Sequence, residues 1–372
     1  MKRIWVHVAM LATLSLAHAL GSPSHPAIVR AEFIHEPQSY PQCHASTLVE
    51  TSDGSLVAAW FGGTRESHPD VSIWVSRREN GTWTPEVNVA DGMQRDRKRY
   101  PCWNPVLFQP TRGPLQLFYK VGASPQRWWG MVITSTDGGR TWSEPRRLPE
   151  HVLGPIKNKP IELVDGTWLS GSSTEDRLDG WRVHLERSSD QGKSWNVTES
   201  LDGGGRFNAI QPAILVHSDS RFQLLCRSKE MTIATSWSSD TGRTWTPLQP
   251  SGLFAPNSGI DAVTLKDGRH IVVYNHRDGP KQGPGSTKAE ALGGATVEPA
   301  EANENWGVRW PLDIAISADG TTWKHIIVLE DEPLKDGYAY PAVIQSRDGL
   351  VHVSYTWGRV KIKHVVLDPG KF

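Results

Sequence analysis

The stretch Ser135-Thr136-Asp137-Gly138-Gly139-Arg140-Thr141-Trp142 occurs twice more with few changes, at residues 188–195 and 238–245. A shorter copy covers residues 317–323, and residues 79–83 keep only the end of the pattern. Each copy has the chemistry of a tight hairpin turn, because the Asp bonds to the turn backbone, the Gly permits a positive φ, and the Ser or Thr adds a second bond. The closing Trp can pack beside the turn. The repetition therefore predicts a series of similar β hairpins.

A second repeated pattern marks the first strand of each repeating unit, where a polar or aromatic residue precedes an apolar run. Its six copies begin at His44, Asn104, Lys159, Gln211, Asp261 and Tyr340. In four copies an Asp-Gly pair follows the apolar run and predicts the turn to the next strand. The starts near Pro105, Pro160 and Pro212 are about 50 residues apart, the period of a four-stranded propeller blade. We therefore expect an all-β fold, a six-bladed β-propeller of four-stranded antiparallel blades.

The Ser-x-Asp-x-Gly-x-Thr-Trp motif of residues 135–142, 188–195 and 238–245 resembles the Asp-box, or BNR repeat, of the sialidase (neuraminidase) superfamily. The resemblance implies a glycoside hydrolase that acts on acidic sugars. Asp-boxes join the third and fourth strands, on the face opposite to the central mouth of the propeller, so they are expected to be scaffold.

The N-terminus has the pattern of a secretory signal. Lys2 and Arg3 precede an apolar run, and Ala17-His18-Ala19 offers a cleavage site. We expect residues 1–19 to be removed and residues 20–372 to form a single propeller domain that is secreted or periplasmic. Residues 279–305, rich in Gly, Pro, Ala and Glu, are expected to be a loop inserted in the fifth blade. Residues 27–34 are expected to supply the outer strand of the last blade and close the ring.

Composition narrows the partners. The 40 basic and 40 acidic residues balance, which argues against a nucleic-acid-binding surface, and no segment after residue 19 is apolar enough to span a membrane. An anionic carbohydrate is the expected partner of a monomeric protein. The His residues are scattered without metal-ligand spacing, so neither a metal nor another cofactor is predicted. Of the three cysteines, Cys43 and Cys102 are a candidate disulfide pair, and Cys226 is expected to be a buried thiol.

The propeller topology predicts where a binding site would lie. In every blade the first strand starts, and the second strand ends, at the central mouth. The six strand starts therefore converge with six residues at the ends of second strands, which are Arg65, Lys120, Glu175, Arg227, His276 and Arg359. Polar groups around one axis must be hydrated or paired. Each of these residues could bond the tops of neighbouring strands, but the set as a whole favours a ligand site.

The resemblance implies roles for individual residues. Tyr340 occupies the place of the catalytic nucleophile, and Asp70, shortly after Arg65, that of the acid/base; His44 stands where the family has a first arginine and is a further candidate proton carrier. Gln211 stands where a Glu would polarise the tyrosine, and Glu175 or Asp261 are candidate substitutes. The remaining expected substrate contacts are Arg65, Arg227, Arg359, Lys159, Asn104, Gln211, Glu175, Asp261 and Trp357.

Three functions fit this set of residues. The first is an exo-acting hydrolase of acidic glycans that uses Tyr340 and Asp70. The second is a lyase that eliminates across a uronate with His44 or Tyr340 as base. The third is a propeller that binds carbohydrate without turnover. Because His44 replaces the first arginine, we expect sialic acid to fit less well than other acidic sugars.

Overall fold

The structure, a computed structural model, describes residues 25–36, 39–176, 178, 180–201, 207–279 and 307–372. The predicted signal peptide and residues 280–305 of the predicted insertion lie outside these residues. Within the described part of the chain, strands form six sheets and a short 3₁₀ helix, Pro369–Lys371, ends the chain. No helix among these residues is long and apolar enough to cross a membrane. The six-bladed, all-β prediction is confirmed.

The strands follow one another along the chain blade by blade. Blade 1 contains β2 (Gln42–Glu50), β3 (Leu56–Gly63), β4 (Ser72–Glu79), β5 (Thr82–Trp83) and β6 (Val87–Ala90), with β5 and β6 both paired to β4. Blade 2 contains β7 (Cys102–Phe108), β8 (Leu115–Val121), β9 (Trp129–Ser135) and β10 (Arg146–Arg147). Blade 3 contains β11 (Ile161–Glu162), β12 (Trp168–Glu175), β13 (Trp181–Ser188) and β14 (Asn196–Val197).

The second half of the ring repeats this order. Blade 4 contains β15 (Ala209–Val216), β16 (Phe222–Ser228), β17 (Thr232–Ser238) and β18 (Gln249–Phe254). Blade 5 contains β19 (Asp261–Thr264), β20 (His270–Tyr274), β21 (Leu312–Ser317) and β22 (Lys324–Glu330). Blade 6 contains β23 (Tyr338–Gln345), β24 (Val351–Trp357), β25 (Lys361–Leu367) and β1 (Ile28–Phe33). Because β1 pairs antiparallel with β25, the predicted closure by the N-terminal segment is confirmed.

The innermost strands carry a repeated backbone irregularity at the central mouth. In blades 1, 2, 4 and 6 the pairing of the first and second strands shifts register near the start of the first strand. One residue in each irregularity has a positive φ: Ala45 (57°), Asn104 (37°), Gln211 (58°) and Tyr340 (52°). A bulge of this kind re-aims a side chain and is common beside active sites. The blade 1 counterpart of Tyr340 is therefore Ala45, and His44 lies one position earlier.

The Asp-boxes hold neighbouring blades together. In the copy at 238–245 the Asp240 carboxylate accepts hydrogen bonds from the backbone N–H groups of Arg243 (3.0 Å) and Thr244 (2.9 Å) and from the hydroxyls of Thr244 and Ser238. Arg187 of blade 3 donates to the Thr241 carbonyl at 2.7 Å. A Cβ on Gly242 would lie 2.7 Å from Leu169 of blade 3, so only glycine fits there. The turns therefore act as structural links between blades.

These turn carboxylates predict how stability depends on pH. Burial raises the pKa of Asp240, but hydrogen bonds from Thr244, Ser238 and Arg243 outweigh burial and lower it to about 2. The pKa of Asp190 is also lowered to about 2, chiefly by bonds from Ser194. An unfolded Asp titrates at about 3.9, so this stability is fully present above about pH 4 and is lost as the pH falls towards 2.

Asp240→Asn is expected to lower the free energy of unfolding by about 1 kcal/mol at neutral pH, because charge-assisted bonds weaken. Urea unfolding of this variant and the wild type should give free energies that converge as the pH falls towards about 2. Asp219→Asn is the matched control, because Asp219 lies exposed in a hairpin turn of the same blade. If Asp240→Asn lowered the free energy of unfolding equally at neutral pH and at low pH, the loss would not come from the ionised carboxylate, and the prediction would be wrong.

The cysteines do not form the predicted pair. Cys43, Cys102 and Cys226 are all buried free thiols, and burial raises the pKa of each. The candidate Cys43–Cys102 disulfide is therefore absent, because the two thiols are packed in different hydrophobic clusters. Cys226 lies within β16, as the sequence indicated.

Candidate functional site

The hydroxyl of Tyr340 is the centre of a hydrogen-bonded cluster at the central mouth. Arg227 donates to it from Nη1 at 2.8 Å, and Gln211 donates from Nε2 at 3.1 Å. These bonds join blade 4 to blade 6 across the mouth. The bulge at Tyr340 is accommodated because the neighbouring residue of blade 5 is Gly259, whose absent Cβ would lie 3.0 Å from the ring. The phenol oxygen therefore accepts two N–H bonds from blade 4.

Arg227 is buried at the end of β16, and its contacts fix its direction. Its Nε donates to the Asn257 side-chain oxygen at 2.7 Å, and its Nη2 donates to the Asn257 carbonyl at 3.3 Å. Its guanidinium lies 5.1 Å from the ring centroid of Trp181. A cation over an aromatic face is stabilised by the ring quadrupole. The side chain is therefore preorganised to present one N–H edge to Tyr340.

His44 lies against the ring of Tyr340. The two ring centroids are 4.3 Å apart, and Nδ1 of His44 is 3.0 Å from the Thr356 hydroxyl. Burial first, and then the charges of Arg359, Arg309, Arg227 and Lys157, hold the pKa of His44 well below its usual value. The imidazole is therefore neutral at physiological pH, and its protonation is disfavoured.

Two cations that the sequence analysis did not select complete the surroundings of Tyr340. The Arg309 guanidinium and the Lys157 ammonium each lie 5.8 Å from its ring centroid. Burial, and next the charge of Arg227, lower the pKa of Arg309 to about 10. Lys157 is buried and donates to Asn158 and to the carbonyls of Ile260 and Pro341, and burial lowers its pKa to about 7. Positive charge is thus concentrated beside Tyr340.

A shallow cleft lies beside His44. Arg65, Glu66 and Arg359 line it together with His44. Arg359 donates to Glu66 at 2.5 Å, while Arg65 is exposed at the rim. The predicted residues Arg65 and Arg359 therefore share one cleft with His44, and Glu66 neutralises part of its charge.

Asp70 lies in the loop between β3 and β4, shortly after the cleft residue Arg65 in the sequence. It accepts hydrogen bonds from the Thr64 backbone (3.0 Å) and hydroxyl (2.6 Å), and His68 lies 2.7 Å away. Partial burial raises the pKa of Asp70, but these bonds outweigh it and the net shift is downward. In this conformation the carboxylate is ionised and stabilises its own loop.

Lys159 and Asp261 were expected to contact substrate, and they bond to each other. The ammonium lies 3.1 and 3.0 Å from the two carboxylate oxygens and also donates to the Ala262 carbonyl at 2.9 Å. Asp261 also accepts from the Val343 backbone N–H at 2.8 Å. The pair thus connects blades 3, 5 and 6 and holds the strand that carries Tyr340.

The remaining predicted residues lie at different distances from this centre. Glu175, at the end of β12, is close enough to Arg227 to feel its charge, and burial raises its pKa. Asn104 is buried at the blade 2 bulge. The Trp357 ring packs edge-on against Phe33 of the outer strand, 5.6 Å between centroids. The tryptophan ring that lies beside Arg227 is that of Trp181.

The arrangement is suited to an anionic ligand. Arg227, Arg309 and Lys157 surround Tyr340, and the charge of Arg227 contributes to lowering the pKa of both Arg309 and Lys157. An anion placed among them would relieve this repulsion and receive charge-assisted hydrogen bonds. Among the described residues, no carboxylate accepts a hydrogen bond from the Tyr340 hydroxyl.

Comparisons with known proteins agree with this fold. The family model described as a BNR repeat-like domain matches residues 54–353. A sialidase of Bacteroides fragilis is 24% identical over 261 residues, which are 63% of this chain and 42% of that protein. The chain thus spans less than half of the length of this relative.

Solved structures are similar over nearly the whole chain. A Dyadobacter fermentans protein of unknown function has a TM-score of 0.70 at 18% identity, covering 92% of this chain and 98% of that chain. The NanB sialidase of Streptococcus pneumoniae has a TM-score of 0.67 at 12% identity, covering 92% of this chain and 71% of that chain. At these identities the likeness shows a common propeller fold.

Proposed function

Because the chain belongs to the BNR repeat-like domain family, with a sialidase-like propeller, we propose that it is a glycoside hydrolase that removes an acidic sugar from a glycan. The observation that carries this proposal is the Tyr340 hydroxyl, held at the central mouth by Arg227 and Gln211. The signal-like N-terminus further supports export, so we propose an extracellular or periplasmic substrate.

The cations around Tyr340 support an anionic substrate. Arg227 and Arg309 can bind a carboxylate, and a charge-assisted hydrogen bond contributes about 1.5–3 kcal/mol. Arg65 and Arg359 line the adjoining cleft, so they are placed to contact a sugar bound over its opening. His44 stands in that cleft as a neutral group, so one cationic contact of the sialidase pattern is missing. We therefore propose a carboxylated sugar that differs from sialic acid.

The proposed reaction has two steps. The Tyr340 hydroxyl first gives its proton to solvent. The resulting phenolate attacks the anomeric carbon as the bond to the leaving-group oxygen breaks, and protonated Asp70 supplies its proton to that oxygen. Water then attacks the anomeric carbon, gives its proton to Asp70, and releases Tyr340. Arg227 and Gln211 stabilise the phenolate that acts in both steps. Because Asp70 is ionised in this conformation, a bound substrate must displace the bonds from Thr64 and His68 before Asp70 takes up a proton.

One observation favours elimination as a second candidate. His44 is kept neutral by burial and packs 4.3 Å from the Tyr340 ring, so an unprotonated imidazole lies beside the carboxylate-binding cluster. In a uronate, removal of the proton next to the carboxylate and loss of the glycosidic oxygen would form a carbon–carbon double bond. The Tyr340 phenolate or His44 would receive that proton.

Asp70→Asn is expected to lower kcat by about 10²–10⁴-fold, because the amide cannot transfer the proton. The substitution also weakens a loop, so Asp165→Asn is the matched control. Asp165 caps the β11–β12 hairpin by accepting from the Thr167 backbone at 2.9 Å. Circular dichroism should show a retained fold in both variants, and initial rates should show lost activity in Asp70→Asn only. Equal activity in both variants would refute the role of Asp70.

Paired substrates test carboxylate recognition. Aryl glycosides of uronic acids and of sialic acid would be compared with the corresponding primary amides, which keep the shape and remove the charge. We expect turnover of an acid with at least about a hundredfold loss in kcat/KM for its amide, as expected for one or two lost charge-assisted bonds. Equal rates for acid and amide would show that the cationic cluster does not select the substrate.

A further inference from the structure

A group of potential metal ligands lies in blade 5, outside the Tyr340 cluster. His276 follows β20, Asp313 lies in β21, and His325 lies in β22. Their ligand atoms are all within 4.8 Å of one another. Oδ2 of Asp313 is 3.4 Å from Nδ1 of His276 and 2.7 Å from Nε2 of His325. Residues from three successive strands thus point at one spot.

The carboxylate of Asp313 is the second, independent indication of a ligand. Its side chain is only 1% exposed, and both imidazoles contact the same oxygen, Oδ2. The other oxygen, Oδ1, has no hydrogen-bond partner among the described residues. An ionised carboxylate in such a position is costly unless it is paired or bound to a metal. The cluster therefore lacks a positive partner directed at both oxygens.

The neighbouring groups leave the site reachable from solvent. The side chains of His276 and His325 are 33% and 35% exposed, so an ion can approach past them. Their rings are 5.0 Å apart between centroids and inclined by 32°. Asp331 is a second nearby carboxylate, close enough for its charge to act on Asp313.

We propose that His276, Asp313 and His325 bind a divalent transition-metal ion, with zinc as the best match. Two imidazole nitrogens and one carboxylate oxygen are typical zinc ligands, with bonds of about 2.0–2.2 Å, and water can complete the tetrahedron. Tetrahedral ligand atoms at these bond lengths are about 3.3 Å apart, close to the 3.4 Å between His276 and Asp313. His325 would move outward by less than 1 Å, about the difference between its 2.7 Å contact and that spacing.

A bound ion would join the last three strands of blade 5 at the end nearest the mouth. Asp313 follows Arg309 by four positions, and Arg309 lies beside Tyr340. The metal would thus stabilise the segment that carries one of the clustered cations. It would not contact the ring of Tyr340, so its role is structural.

The test uses the full chain purified without a polyhistidine tag and treated with EDTA. Zinc binding is measured by competition with a chromogenic chelator, and thermal unfolding is followed with and without zinc chloride. We expect one zinc ion per chain and a zinc-dependent rise in Tm, with no rise in calcium chloride. His325→Gln should weaken binding by at least about tenfold, as loss of a ligand does. His151→Gln, at an exposed histidine between blades 2 and 3, should bind as the wild type does.

Asp313→Asn provides a second variant if His325→Gln folds poorly. It should abolish both the stoichiometric binding and the rise in Tm, because the only anionic ligand of the trio is removed. Absence of stoichiometric zinc in the wild type would overturn the proposal. Binding of equal strength in the wild type and in a folded His325→Gln or Asp313→Asn variant would overturn it equally.

Discussion

Tyr340→Phe is expected to lower kcat by at least about a thousandfold, because the substitution removes only the oxygen that attacks the sugar. Arg227 and Gln211 would lose their common acceptor in a buried site. The free energy of unfolding should therefore fall by about 1–3 kcal/mol, a change that leaves the propeller folded. Rates on the best acidic glycoside, together with urea unfolding, measure both effects.

Tyr355→Phe is the matched control for this variant. Tyr355 is fully buried in β24 of the same blade, and its hydroxyl donates to Glu330 at 2.6 Å. Its loss should lower stability by a similar amount and leave kcat unchanged. If Tyr340→Phe kept full activity, Tyr340 would not be the nucleophile; equal losses of kcat in the two variants would mean that altered packing, rather than chemistry, lowers the rate.

Arg227→Met should lower kcat/KM by about a hundredfold or more. Methionine keeps the length of the side chain but removes the bond to the Tyr340 hydroxyl and the charge available to a substrate carboxylate. Each charge-assisted bond is worth about 1.5–3 kcal/mol, or roughly 10–150-fold. If Arg227 stabilises the phenolate, its loss lowers kcat. If Arg227 binds the substrate carboxylate, its loss raises KM, so steady-state kinetics separates the two roles.

Arg187→Met is the control for the loss of a partly buried arginine. Arg187 lies in blade 3 and donates to an Asp-box carbonyl, on the face opposite to the mouth. This variant is expected to lose stability and keep its kinetic constants. Normal kinetics in a folded Arg227→Met variant would contradict the place of Arg227 in the site.

The fold followed from the sequence because local chemistry repeats in it. Asp240 and its counterparts form turns whose bonds lie within a few residues, so their geometry is readable without knowledge of distant contacts. The starts of the blades were predicted to within a few residues, and closure by β1 was anticipated. The shift of register at Ala45 was not anticipated, because a bulge depends on pairing with the next strand.

Only part of the site was predicted from the sequence, and the reason lies in the topology of the blades. The predicted site consisted of the starts of first strands and the ends of second strands. In the structure these positions bring together His44, Gln211, Arg227 and Tyr340. Arg309 precedes the third strand of blade 5, which also begins at the mouth. Including the starts of third strands in the prediction would therefore have selected it. Lys157 precedes a first strand of only two residues, whose register the sequence does not define.

Pairings between blades were invisible in the sequence. Lys159 and Asp261 are 102 residues apart, yet they form an ion pair. The blade 5 histidines are scattered in sequence and meet at Asp313 only because three strands are adjacent in one sheet. The prediction of no metal was drawn from spacing along the sequence, and that spacing does not report on side chains that meet across neighbouring strands.

Product analysis in heavy-oxygen water tests the hydrolase proposal most directly. The protein would be incubated with acidic oligosaccharides, and the products would be weighed by mass spectrometry. Hydrolysis predicts fragments whose masses sum to substrate plus one water, with the heavy oxygen on the anomeric carbon of the released acidic sugar and no release by Tyr340→Phe. Fragments that sum to the substrate alone and absorb in the ultraviolet as an unsaturated uronate would contradict hydrolysis and establish elimination.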